Sequence, residues 1–119
     1  MSELAYNRTM CLHALDVWVR RPAVLTNTDR LREILYAGAE AGGATVLGEK
    51  FCVFPNGAVT GVLVLAQSHL SLHTWPEHSL ANVDLLSYGD LRGEIVLETI
   101  CDGLEADRAN LICLPRAVG

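Results

Sequence analysis

The sequence predicts an α+β fold, a two-layer sandwich in which two helices cover one face of a mainly antiparallel sheet. Two segments place apolar residues at helical spacing, whereas the remaining apolar runs are short, rich in β-branched residues and bounded by turn signals. The predicted order is strand, helix, three strands, helix, strand, which is typical of this architecture. The 119 residues, half of them hydrophobic, predict a single domain spanning residues 1–119.

The first half of the chain contains the clearest helix signal. A strand is expected over residues 10–19, and Pro22 ends it. The segment Asn27-Thr28-Asp29 offers candidate helix N-caps, and the Gly42-Gly43 pair ends the helix that follows. The apolar positions of this helix recur at i, i+3, i+4 and i+7, namely Leu31, Ile34, Leu35 and Gly38.

The second half contains mostly strands. A strand over residues 44–54 is followed by the turn Pro55-Asn56-Gly57, whose Asn-Gly pair is a strong hairpin signal. The apolar run from Val59 to Ala66 continues directly into Ser68, so that residues 59–75 are predicted as one strand. Another strand is expected over 81–88, a helix over 91–104 and a last strand over 108–114.

Composition excludes several classes of function. The net charge of −5 argues against a nucleic-acid partner, and no apolar run approaches the length of a membrane span. The four cysteines contain no CxxC pair, which predicts reduced thiols in a cytoplasmic protein. A zinc site built from these cysteines with His13, His69, His73 and His78 is an open alternative, but it lacks ligand spacing, and the main expectation is no metal.

Chemistry-bearing residues concentrate in residues 67–77, which read QSHLSLHTWPE. In an extended strand, alternate side chains share a face, so His69, Ser71 and His73 lie together. The strand ends at Trp75-Pro76, because proline removes a donor from the ladder. A serine, two histidines, a tryptophan and Glu77 therefore meet near one strand end, which makes this segment a candidate site.

Together with residues 81–90, which read ANVDLLSYGD, this segment resembles the core of the bacterial S-adenosylmethionine decarboxylases. The pattern of these small pyruvoyl-dependent enzymes is Glu-Ser-His, a second histidine, an aromatic residue, Pro-Glu and a later Cys-Gly-Asp. The spacing here has no gap, but Gln67 replaces the glutamate and Tyr88 replaces the cysteine. The resemblance agrees with the α+β prediction and implies a homodimer with each active site near the interface.

The resemblance also implies a self-cleaving proenzyme. Ser68 attacks the carbonyl of Gln67, the chain is cut between the two residues, and residue 68 becomes a pyruvoyl group. His73 is the expected processing base and Thr60 a hydroxyl that assists it. In the family, the carbonyl of the pyruvoyl cofactor is the electron sink for loss of carbon dioxide. The replaced cysteine is the family's proton donor, a role open to Tyr88, although a phenol is a weaker acid than a thiol.

Substrate contacts carried over from the family are Phe54 and Trp75, which would stack on adenine, and Glu77, which would accept from the ribose hydroxyls. These residues favour S-adenosylmethionine, decarboxylated to the aminopropyl donor for spermidine. Two alternatives remain open at this point. One is the same chemistry on ornithine or arginine, with Glu77 or Asp84 facing the distal cation. The other is a non-catalytic paralogue that does not cleave itself.

Overall fold

The computed structural model of the protein describes residues 10–117, which form one six-stranded sheet and two helices. Helix α1 spans Thr28–Ala41 and helix α2 spans Gly93–Leu104. Short 3-10 turns occupy Pro22–Thr26 and Pro76–His78. The strands are β1 Met10–Val19, β2 Val46–Val53, β3 Val59–Leu65, β4 His69–Trp75, β5 Leu80–Tyr88 and β6 Ala106–Pro115.

All neighbouring strands in the sheet are antiparallel, in the order β2-β3-β4-β5-β1-β6. The first strand therefore lies between β5 and the last strand, and each helix carries the chain across the sheet. The α+β prediction with two helices on one face is confirmed. Within residues 10–117, neither helix is long and apolar enough to cross a membrane.

The prediction of one strand over residues 59–75 is wrong. The chain reverses at Ala66-Gln67, and two backbone hydrogen bonds between Leu65 and Ser68, of 2.8 and 3.1 Å, close this tight turn. Neither Ala66 nor Gln67 is a typical turn residue, so no turn signal marks this position in the sequence. As a consequence, the Gln67–Ser68 peptide bond lies in a hairpin turn and not within a strand.

The helix-covered face of the sheet holds the hydrophobic core. Alternate residues of β3, β4 and β5 point toward α1 and α2, and the helices contribute an apolar stripe each. Asn27 caps α1 as predicted, because its side chain accepts from the backbone N–H of Arg30 at 3.1 Å. The largest fully buried side chains include Leu31, Leu35, Leu63, Leu70, Leu72, Leu85 and Ile100.

The opposite face, which we call the open face, has no helix of residues 10–117 packed on it. It carries the polar side chains of β4, with His69, Ser71 and His73 on one side of the strand as expected from alternation. It also carries large exposed apolar side chains from several strands, namely Val64, Trp75, Tyr88, Ile112 and Leu114. The hydrophobic core therefore lies on one face of the sheet, and the polar candidate residues lie on the other.

Candidate active site

The site residues predicted from the sequence lie at two ends of the open face. One cleft, of about 260 Å³, which we call the His73 cleft, contains the predicted residues Phe54, His73, Trp75 and Glu77, and is also lined by Asn56 and Ala58. The other, of about 410 Å³, which we call the Ser68 cleft, contains the predicted residues Gln67, Ser68 and Tyr88, and is also lined by Met10 and Leu86. Predicted residues are present in both clefts, but the structure does not bring all of them together.

In the His73 cleft, strand pairing places Thr60 directly opposite His73. The Thr60 Oγ1 atom lies 2.6 Å from His73 Nδ1, so this hydrogen bond fixes the imidazole ring and leaves Nε2 for other contacts. Phe54 and Trp75 pack edge-on against the ring, with centroid separations of 5.5 and 4.4 Å. The result is a half-buried histidine held by a hydroxyl and bordered by two aromatic walls.

Glu77 follows β4 in the short 3-10 turn and is exposed at the rim of the His73 cleft. The cleft therefore combines flat apolar surface with one carboxylate, a combination that suits a ligand with an aromatic ring and hydroxyl groups. His78, in the same turn, is exposed and does not line the cleft.

In the Ser68 cleft, the hairpin turn fixes the backbone of Ser68 through its two bonds to Leu65. The Ser68 hydroxyl lies 3.2 Å from Nδ1 of His69. The side chain of Gln67 folds back, and its Oε1 accepts from the backbone N–H of Thr45 at 3.4 Å. Tyr88 lies at the last position of β5, before Gly89, whose φ of +68° lets the chain leave the sheet.

His73 and Ser68 are too far apart within one chain for direct proton transfer. Five residues of extended strand separate them, which corresponds to roughly 16 Å at about 3.3 Å per residue. The Thr60 hydrogen bond also holds the imidazole at its own end of the strand. A base must come within hydrogen-bond reach of the proton that it removes, at about 3 Å. One protomer therefore contains the predicted residues without bringing Ser68 and His73 together.

A polar chain across the open face was not predicted from the sequence. The Trp75 Nε1–H donates to Asn82 Oδ1 at 2.6 Å, and Asn82 Nδ2 donates to Asp16 Oδ1 at 2.8 Å. The three residues lie on β4, β5 and β1, and only strand register brings them together. This chain sets the position of the Trp75 indole at the edge of the His73 cleft.

A second group that sequence reasoning missed lies on the helix-covered side, at the edge of the sheet. The ligand atoms of Cys11, His13 and Cys113 all lie within 4.8 Å of one another. The alternation of β1 could have paired Cys11 with His13, but Cys113 reaches them only through the β1–β6 register.

The fold and the clefts define a class of two-layer α+β proteins with a histidine-centred site on the uncovered face of the sheet. The family model described as S-adenosylmethionine decarboxylase matches residues 12–117. The chain belongs to the S-adenosylmethionine decarboxylase family.

Curated relatives and a solved structure agree with this assignment. A Bacillus velezensis protein named S-adenosylmethionine decarboxylase proenzyme is 32% identical over 112 residues, covering 93% of this chain and 89% of the relative. A protein of the same name from Symbiobacterium thermophilum is 51% identical over 89 residues, which cover 75% of this chain and 65% of the relative. The crystal structure of the Aquifex aeolicus adenosylmethionine decarboxylase matches with a TM-score of 0.84, 30% identity and 93% coverage of both chains.

Proposed function

We propose that this protein is a self-processing decarboxylase of S-adenosylmethionine whose chain is cut between Gln67 and Ser68. The observation that carries the proposal is the His73 cleft, in which a histidine fixed by Thr60 stands between two aromatic rings with Glu77 at the rim. This arrangement gives both a base and a binding surface for an adenosyl group.

The proposed cleavage uses the position of Ser68 in a hairpin turn. The Ser68 hydroxyl attacks the carbonyl carbon of Gln67, and the amide becomes an ester. Removal of the Ser68 α-proton then expels the Gln67 carboxylate. Hydrolysis of the remaining enamine consumes one water, releases ammonia and leaves a ketone on residue 68. Gln67 is compatible with this reaction, because the reacting atom belongs to its backbone and its side chain points toward Thr45.

The resulting pyruvoyl carbonyl supplies an electron sink for loss of carbon dioxide from an α-amino acid. Other residues of the chain bind the substrate and return the proton. Phe54 and Trp75 offer faces and edges for the adenine ring, and Glu77 offers acceptors for the ribose hydroxyls. Tyr88 lines the same cleft as Ser68, which supports a role for its phenol in returning a proton near residue 68.

A complete site requires a second copy of the chain, and we propose a homodimer through the open face. The separation of Ser68 from His73 within one chain supports this arrangement, because a two-fold axis lying between the two open faces and perpendicular to β4 would place one protomer's Ser68 cleft against its partner's His73 cleft. The exposed apolar side chains of the open face also favour coverage by another sheet: Val64, Tyr88, Ile112 and Leu114.

The proposal has consequences for the pathway that uses the product and for the cellular location of the protein. The decarboxylated product is the aminopropyl donor for spermidine, which places the protein in polyamine synthesis. All four cysteines are free, which fits a cytoplasmic protein.

The activity is tested by release of labelled carbon dioxide from carboxyl-labelled S-adenosylmethionine, ornithine and arginine offered separately and in competition. We expect turnover of S-adenosylmethionine alone. Turnover of ornithine or arginine would contradict the proposed substrate and would support pyruvoyl-dependent decarboxylation of another amino acid. An uncut and inactive chain would contradict the whole proposal and favour a non-catalytic paralogue.

A further inference from the structure

We propose that Cys11, His13 and Cys113 form a zinc-binding site at the β1–β6 edge of the sheet, with an open fourth position toward a neighbouring cavity. The site lies on the helix-covered face and is separate from the clefts of the open face. It therefore stands independently of the proposed decarboxylase activity.

The backbone brings these three side chains together by register. Cys11 and His13 are two residues apart on β1 and share a face, and Cys113 on β6 lies directly opposite His13. The His13 Nδ1 and Cys113 Sγ atoms are 3.3 Å apart, close to the edge of a tetrahedron built on bonds of about 2.0 and 2.3 Å to zinc. Two sulfurs and one imidazole nitrogen within 4.8 Å are a ligand set typical of protein zinc sites.

The hydrogen bonds around His13 leave the correct nitrogen free for a metal. The Ser87 hydroxyl donates to the backbone carbonyl of Cys11 at 3.3 Å, so its oxygen accepts from His13 Nε2–H at 3.1 Å. The proton is thereby assigned to Nε2, and the lone pair of Nδ1 faces Cys113. A histidine ligand that donates its second ring N–H to a fixed oxygen is the usual arrangement around bound zinc.

Charge and burial at the site are compatible with a cation. Burial lowers the pKa of His13, and the charge of Glu94 opposes this effect. Burial, followed by the neighbouring Cys113, raises the pKa of the Cys11 thiol. The raised pKa favours the protonated thiol in the absence of metal. A bound dication favours the thiolate instead, because it is the largest local charge and displaces the thiol protons.

The open position is defined by the cavity next to the three ligands. This cavity of about 560 Å³ is lined by the ligands, Ser87 and the segment from Gly89 to Ile95, which includes the first turn of α2. Glu94 in that turn offers a carboxylate, and solvent offers a water, for the fourth ligand. Gly93 is required beside the ring, since a Cβ there would lie 2.5 Å from His13 Nε2.

The test is a titration of the reduced, metal-free full-length protein with Co²⁺, followed by displacement with Zn²⁺. We expect one Co²⁺ per chain with sulfur-to-metal charge-transfer absorption, and loss of this absorption when one equivalent of Zn²⁺ is added. Cys113→Ser should abolish the absorption, whereas Cys52→Ser, which changes an exposed cysteine at the other edge of the sheet, should leave it unchanged. Ser87→Ala should weaken binding by about 10- to 100-fold.

A second measurement needs no variant. Zinc should protect Cys11 and Cys113 from alkylation while the labelling of Cys52 and Cys101 stays the same. Absorption that persists in Cys113→Ser, equal labelling of Cys11 and Cys113 with and without zinc, or a Cys11–Cys113 disulfide in a chain that binds no Co²⁺ after reduction would each overturn the proposal.

Discussion

The Ser68 cleft and the His73 cleft lie on the same face of one sheet but differ in what they contain. The His73 cleft has a fixed imidazole, two aromatic rings and a carboxylate, held by hydrogen bonds from neighbouring strands. The Ser68 cleft has a strand-connecting turn, a serine hydroxyl and a tyrosine, with apolar side chains around them. In the proposed function, the His73 cleft would bind the substrate and accept a proton, and the Ser68 cleft would contain the bond to be cut.

The two clefts also differ in how well their residues match the family pattern. Gln67 and Tyr88, the two departures from the resemblance pattern within residues 67–90, both line the Ser68 cleft. Four residues of the His73 cleft match the family: Phe54, His73, Trp75 and Glu77. Any change in chemistry relative to the pattern is therefore expected at the proton donor, and the binding surface is expected to stay the same. Four substitutions separate the contributions of the two clefts.

The largest effect is expected for Ser68→Ala, which should abolish both cleavage and decarboxylation because alanine cannot form the ester. Denaturing electrophoresis should show one uncut chain, and release of carbon dioxide should fall to background. Ser71→Ala is the matched control, since it removes a hydroxyl from β4 and leaves the turn that contains Ser68 unchanged. Residual decarboxylation by the Ser68 variant would remove this residue from its assigned role.

His73→Ala should stop processing in a homodimer of the variant and should be rescued in trans. A heterodimer of His73→Ala with Ser68→Ala contains one complete pair, namely Ser68 of the first chain and His73 of the second. We expect mixing or co-expression of the two inactive variants to restore cleavage, and only in the His73→Ala chain. Continued absence of cleavage in a verified heterodimer would contradict a site shared between protomers.

Tyr88→Phe should lower turnover of S-adenosylmethionine by about 10²- to 10⁴-fold, the usual contribution of a general acid. Cleavage should continue, because the donor acts only in decarboxylation. Tyr88→Cys should restore turnover, and Tyr36→Phe, in helix α1 and bonded to Glu49, controls for loss of a phenol elsewhere. Full turnover by Tyr88→Phe would mean that water or another group donates the proton.

The smallest effect is expected for Thr60→Val, which removes the hydroxyl that holds His73 Nδ1 at 2.6 Å. A lost hydrogen bond of about 1 kcal/mol corresponds to roughly a 5-fold slower cleavage. Thr60→Ser should restore the rate, as measured by the time course of chain cutting. An unchanged rate in Thr60→Val would show that packing against Phe54 and Trp75 suffices to orient the ring.

The sequence predicted the fold well where the signals were local. Helix α1 was predictable from its Asn27 cap and its apolar spacing, and alternation along β4 placed His69 and His73 on one face. The turn at Ala66-Gln67 was not predictable, because its hydrogen bonds form between residues with no turn preference. Two strands were therefore read as one.

The site was predictable in its parts but not in its arrangement. Residues near one another in sequence, such as His73 and Trp75, were recognised together. The Trp75–Asn82–Asp16 chain depends on the register of three strands, and the Cys11–His13–Cys113 cluster joins residues 100 positions apart. The separation of Ser68 from His73 likewise became apparent only once the strand direction was known.

The measurement that tests the account most directly is the intact mass of the purified protein under denaturing conditions, with and without a carbonyl-trapping reagent. We predict two chains split between Gln67 and Ser68, with the second chain modified by the reagent. Their summed mass should exceed that of the precursor only by the difference between water and ammonia, not by a whole water as in ordinary hydrolysis. A single uncut chain, or a cut with a free amine on Ser68, would contradict a self-generated pyruvoyl group.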